Sequence, residues 1–279
     1  MENTIKTVLF LGLLTGLLLG IGSLFGTVGL VVGFAFALLI NVFSYFFSHK
    51  LVLAMYRAKE VKEKDKPELY SMIKDITHVA KIPMPKVYVI ESASPNAFAT
   101  GRNPKYAAVA VTTGLMGLLD KEEMRGVLAH EISHIKNRDI LIATIAATIA
   151  GVISYLGTMA QFSAIFGGGD DEGRGNFATL LVLAIITPIM AALIQLAISR
   201  SREYQADESA ARLLGTGKGL VNALRKLERG VSAAPLDVGT TAGASLFIVN
   251  PFSMKGFTTL LSTHPLTEDR IKRLESLSL

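Results

Sequence analysis

His130, Glu131 and His134 stand in H-E-x-x-H order within Leu119–Asp139, LDKEEMRGVLAHEISHIKNRD. On an α-helix, residues four apart share one face, so the two imidazoles point at a common position. Glu131 sits one step round the helix, within reach of a water held there. Two neutral imidazoles with a neighbouring carboxylate are what Zn²⁺-assisted hydrolysis requires: nitrogen ligands for the ion and a general base for the water. The surrounding residues favour a helix. Asp120 is a good N-cap, Glu123 falls three residues later as in a capping box, and Val127, Leu128 and Ile132 supply an apolar face. The sequence holds only five histidines, which makes this spacing an uncommon coincidence.

A hydrolytic zinc site needs three protein ligands and one open position. The segment SRSREYQADESAARLLG, starting at Ser199, reads as a second helix on which Glu203 and Asp207 are i, i+4. Glu203 suits the third ligand, and Asp207 suits a hydrogen bond to the far ring nitrogen of a ligating histidine. Glu208 and His264 compete with Glu203 for the third place. Thr263-His264-Pro265 offers another catalytic use, an imidazole that stabilises a developing oxyanion. His78, on a helix predicted after Pro67, reads as structural.

The elements that must carry these residues are strongly apolar. Half of the 279 residues are hydrophobic, 18% are charged, and the mean hydropathy is +0.44. Such a chain calls for membrane spans. Four apolar runs of spanning length are legible: Thr7–Gly26, Thr27–Phe47, Leu141–Phe166 and Phe177–Ser199, the last containing Pro188. Gly12, Gly16 and Gly20 form a small-residue face in the first run, suited to close helix packing. Between the spans lie a basic stretch from His49 to Lys66, suited to a lipid surface, and two short predicted strands, Lys86–Glu91 and Tyr106–Thr112. These strands are expected to pair antiparallel beside the metal helix, either offering an edge to an extended peptide or serving as a plain hairpin that fills the core. The turn-rich SASPNAFATGRNP separates them, and Gly230–Gly243 reads as a mobile segment.

The two connections inside the span pairs are short or nearly free of basic residues, so they face one side. The N-terminus, His49–Asp139 and Arg200–Leu279 face the other, which carries nearly all the lysine and arginine and is therefore expected to be cytoplasmic. The predicted organisation is a transmembrane hairpin (1–48), the first part of a cytoplasmic domain (49–139), a second hairpin (140–199) and the rest of that domain (200–279). A net charge of +5 with no aromatic-plus-basic platform argues against nucleic acid as a partner. The absence of cysteine excludes thiolate ligands, thiol nucleophiles and disulfides. A metal transporter would place polar ligands near the bilayer midplane. The apolar runs hold almost none, Gln195 being the main exception. A scaffold without catalysis would not need Glu131.

Together these residues resemble one family. His130-Glu131-Ile132-Ser133-His134 with Asn137 and Asp139, Glu203-Tyr204-Gln205-Ala206-Asp207, Asn96-Ala97-Phe98-Ala99, Thr263-His264-Pro265 and Arg270 occur in the order found in the HtpX-like membrane-bound zinc metalloproteases. These are prokaryotic relatives of the CAAX prenyl proteases. Leu266 departs from the second proline of many relatives. The resemblance implies a mainly α integral membrane protein, with four transmembrane helices and a cytoplasmic α+β zincin-like domain built on a small β-sheet. It implies one Zn²⁺ per chain, held by His130, His134 and Glu203, with Glu131 as base. Asp207, Asn137 and Asp139 are expected behind the ligands, Asn96, Ala97, Phe98 and Ala99 at a peptide-binding edge, and Arg270 at the substrate. The implied activity is endopeptidase cleavage of misfolded membrane proteins, bound as extended segments, at the cytoplasmic face of a prokaryotic inner membrane. The lipid bilayer is the other expected partner; oligomeric state is not legible.

Overall fold

In the computed structural model, residues 2–23, 26–142, 200–233 and 265–279 are described. The chain begins with α1 (Glu2–Ser23) and α2 (Gly26–Met55), which pack against each other as a hairpin. Within α2, Gly26–Phe47 is long and apolar enough to cross a bilayer, and only 6% of that stretch is buried in the protein. Val28, Val31, Phe34, Phe36 and Leu39 all point outward. A surface this greasy is stable only against lipid or other protein. The close approach of the two helices falls at Gly22 and Gly33, where a Cβ would lie 2.4 Å from the Gly29 carbonyl oxygen and 2.8 Å from that of Leu18. Gly12, Gly16 and Gly20, the expected packing face, have nothing within 4 Å among the described residues.

After β1 (Lys59–Glu60) comes α3 (Pro67–Ala80), opened by a proline in its first turn and closed by Lys81 in the left-handed region. It buries Leu69, Ile73 and Ile76 and leaves His78 exposed. Then follow β2 (Lys86–Ile90), β3 (Ala97–Gly101) and β4 (Ala107–Thr112), and the four strands stand in the order β1-β2-β4-β3. Here the antiparallel pair expected of the two strands is corrected: β2 runs parallel to β4. The intervening segment is not merely turn; it holds β3, which pairs antiparallel with β4 and takes the edge. A parallel pair needs a long crossover, and the chain between Ile90 and Ala107 is long enough to pass β4, form β3 and return.

The sheet is covered on both faces. Val87, Val89, Ala97, Ala99, Val109 and Val111 join the main core with α3 and α5 (Lys121–Asn137). Tyr88, Ile90, Phe98, Ala108 and Ala110 face the other way, onto Val52 and Leu53 of α2. Burial on both faces explains why β4 reads AAVAVT without polar alternation. Short α4 (Thr113–Leu118) leads into α5, and α6 (Arg200–Leu214), α7 (Lys218–Ala233) and α8 (Thr267–Glu275) complete the described domain around α5. The third and fourth expected spans lie outside the described residues apart from Leu141 and Ile142, as does His264. Gly230–Ala233 of the expected mobile segment belong to α7, and the remainder lies outside them.

Candidate metal centre and active site

The local sequence builds α5 as anticipated. The Asp120 carboxylate accepts from Glu123 N–H, and the Glu123 carboxylate accepts from Asp120 N–H, a complete capping box. Val127, Leu128, Ile132 and Ile135 bury one face, while His130 and Glu131 are themselves almost fully enclosed. At the other end Arg138 adopts the left-handed conformation (φ 62°) and turns the chain back. Asp139 N–H then donates to the His134 carbonyl, and the Asp139 carboxylate lies 3.3 Å from His134 Nδ1.

α6 brings the distant carboxylates. Glu203 Oε2 lies 3.5 Å from His130 Nε2 and Oε1 lies 3.5 Å from His134 Nε2, while the two Nε2 atoms are 3.2 Å apart. Asp207, one turn on, places Oδ1 2.9 Å from His130 Nδ1. Each histidine therefore turns Nδ1 to a carboxylate, which holds the proton there and leaves the Nε2 lone pair facing its partner. Three donors, His130, His134 and Glu203, offer ligand atoms within 4.8 Å of one another. Two ring nitrogens and a carboxylate oxygen converging on one point make a donor set that fits a divalent cation. Glu208, one competitor for the third place, is instead paired with Arg212 at 2.9 Å on an exposed face.

Electrostatics tell the same story. Burial alone pushes the His130 imidazole down, but Asp207 and Glu203 outweigh it and carry the pKa up to about 9. Burial pushes the Glu131 carboxyl up, against the opposing pull of the histidines and a hydrogen bond from Ala99 N–H at 2.8 Å. A raised carboxyl is what a base that must also return its proton needs. For Asp207, burial also works upward, yet the Arg270 guanidinium and His130 win and hold it below the usual carboxylate range.

Arg270 was expected at the substrate. It is instead wholly buried behind the ligands: Nε and one terminal nitrogen donate to the two Asp207 oxygens at 2.8 and 2.7 Å. Its other terminal nitrogen is 3.8 Å from Glu203 Oε2. The guanidinium thus fixes Asp207 and lies close to Glu203, an arrangement that sequence spacing could not express because Arg270 is 63 positions from Asp207. Asn137 is the last residue of α5 and is half-buried. Asn96 is anchored by Thr112, whose hydroxyl accepts from Asn96 N–H at 2.8 Å. Ala97, Phe98 and Ala99 bury their side chains, Phe98 against the Tyr56 ring. Thr112 N–H donates to the Asn96 carbonyl, so by antiparallel alternation Ala97 and Ala99 direct their main-chain groups to the outer edge. Ala99 there meets Glu131.

A family model described as peptidase family M48 matches residues 63–278. The chain belongs to peptidase family M48. Among its M48 relatives it is 50% identical over 290 residues to a protease HtpX homolog of Sulfurihydrogenibium sp. (strain YO3AOP1), covering 100% of this chain and 97% of that one. It is 52% identical to one from Desulfatibacillum aliphaticivorans, over 98% and 89% of the two chains, and 49% identical to one from Pyrococcus furiosus, over 99% and 96%. The fold is also that of the crystal structure of S. mikatae Ste24p, at a TM-score of 0.55 and 21% identity, covering 98% of this chain and 66% of that one. As an M48 member the protein is a membrane-associated metalloprotease, and the cluster of His130, His134 and Glu203 is where its metal can bind.

Proposed function

We propose that this protein is a zinc-dependent endopeptidase that cleaves membrane proteins at the cytoplasmic face, with Glu131 as general base. The observation that carries it is the convergence of Glu203 with the two histidines next to a base that also contacts the sheet edge. His130, His134 and Glu203 would hold the ion, an N,N,O set suited to Zn²⁺. When bound, the metal supplies Lewis-acid polarisation of the scissile carbonyl and of the attacking water.

The chain's own residues do the rest. Asp207 and Asp139 keep the imidazoles in the ligating tautomer. Arg270 holds Asp207 and, less closely, Glu203. Glu131 takes a proton from the water and delivers it to the departing amine. The main-chain groups of Ala97 and Ala99 pair with an extended substrate. Because the side chains of Asn96–Ala99 are all buried, recognition through this edge is main-chain recognition, which supports broad specificity and hence a role in clearing damaged membrane proteins. Cytoplasmic orientation is supported by the concentration of lysine and arginine on the domain side.

Glu131→Gln tests the assignment. Metal-dependent cleavage of an unfolded protein such as casein should fall by at least about 10²-fold, the low end for removing a general base, while bound zinc stays near one per chain. Full turnover in that variant would remove Glu131 from the reaction. His134→Ala should lose the zinc itself.

A further inference from the structure

The continuous helix α2 joins the bilayer to the active-site sheet, and its contacts fix the orientation of β3. The spanning stretch ends at Phe47, and Lys50 Nζ lies 5.4 Å from the Phe47 ring centre, an aromatic and basic boundary of the kind found at headgroup level. Beyond it α2 continues to Met55 without interruption. Val52 and Leu53 on this extension pack against Phe98, near the start of β3. Just past the other end of β3, the Arg102 guanidinium lies 5.1 Å from the Phe46 ring centre and 4.0 Å from that of Tyr106. Over seven helical residues, Phe46 to Leu53 rise by about 10 Å. The four strand steps from Phe98 to Arg102 descend by about 13 Å. The two lengths agree, so β3 runs alongside α2 and down toward the membrane.

We propose that β3 is a ruler standing on the bilayer: the enzyme selects extended segments that have just left a membrane span, and cuts them at a fixed short distance from it. The inference rests on the peptidase reading above and deepens it. Arg102 marks the bilayer level, and Ala99, which meets Glu131, stands three residues or about 10 Å above it. A substrate strand antiparallel to β3, the pairing β4 already makes on the other side, runs from the membrane outward in its N-to-C direction. The scissile bond then falls roughly three to six residues after the C-terminal end of a substrate span. Shorter spacers cannot reach Glu131. Longer ones reach it only as flexible loops, whose effective concentration falls as about the −3/2 power of length, so a 30-residue spacer is cut about 15-fold more slowly than a 5-residue one.

The zinc-loaded full-length protein is reconstituted in liposomes with single-span substrates carrying one cleavable sequence 0, 3, 5, 10 or 30 residues after the span. A second set places it before the span, and the same sequence is supplied as a free peptide. Expected are a rate maximum at 3–5 residues, loss of cleavage at 0, and a rate at least about 10-fold lower for the reversed order. Equal rates at all spacings, or preference for the reversed order, overturn the ruler while leaving the peptidase intact. Failure to cut every substrate and the free peptide overturns the peptidase reading itself. A readout independent of turnover uses the absence of native cysteine. In Glu131→Gln, Arg102→Cys should form a disulfide with a cysteine at the substrate's span exit; selective pairing with one beyond the scissile bond instead reverses the proposed direction and overturns it.

Discussion

At the scale of single residues, the metal centre depends on one buried cation and one buried anion that touch no substrate. Arg270 and Asp207 are both almost completely enclosed and joined by two hydrogen bonds. Removing one partner leaves the other charge buried and alone, which costs about 3–5 kcal/mol. Asp207→Ala should therefore lower stability by that order in denaturant titration and weaken zinc binding about 10–100-fold, since it also releases His130 Nδ1. Unchanged zinc affinity would mean that Asp207 does not orient the ligand. His130 adds a pH dependence. Its pKa rises from 6.5 to about 9 on folding, so the charged imidazole stabilises the metal-free protein fully below about 6.5. That contribution is lost as pH climbs through about 9. Thermal unfolding of chelator-treated protein should show a falling Tm across this window, and zinc loading, which displaces the proton, should remove the trend. A flat profile without metal would contradict the buried proton.

At the scale of elements, α5 is positioned by backbone-to-backbone contact with α7. A Cβ on Gly126 would stand 2.5 Å from Leu220 N, and one on Gly219 would stand 2.4 Å from the Glu122 carbonyl oxygen. Main chain cannot rotate away as a side chain does. Gly126→Val should cost about 1–3 kcal/mol or more by overpacking, and the tilt it forces on α5 should cut activity beyond the loss of folded protein. An active, equally stable variant would show that the crossing tolerates relaxation. The capping box and apolar face of α5 were legible because they are local: N-cap, N3 and the i, i+4 pair lie within one sequence window. Strand partners were not. Which neighbours β2 and β3 acquire depends on how the chain crosses over β4, and short apolar strands buried on both faces carry no alternation to fix a side.

At the scale of the whole molecule, the sheet is bolted to the N-terminal helical hairpin through Val52, Leu53 and Phe98 rather than tethered by a linker. Nearly all the lysine and arginine falls in residues 49–139 and 200–279. A reporter domain fused after Leu279 should be active only in the cytoplasm; an external reporter would invert the expected topology. The same attachment makes distance from the bilayer a structural quantity, on which the proposed selection of substrates by position rests.

The sequence by itself determined the helix that carries H-E-x-x-H and the spanning stretch of α2, and it singled out Glu131 and Glu203 as candidates, because periodicity, capping and ligand spacing are properties of adjacent residues. Only the tertiary structure decided that Glu203 and not Glu208 meets the histidines, that Arg270 is buried against Asp207, and that β3 stands along α2. Those outcomes arise from contacts between segments tens of residues apart, where burial selects which charges must meet and helix crossing sets where they do.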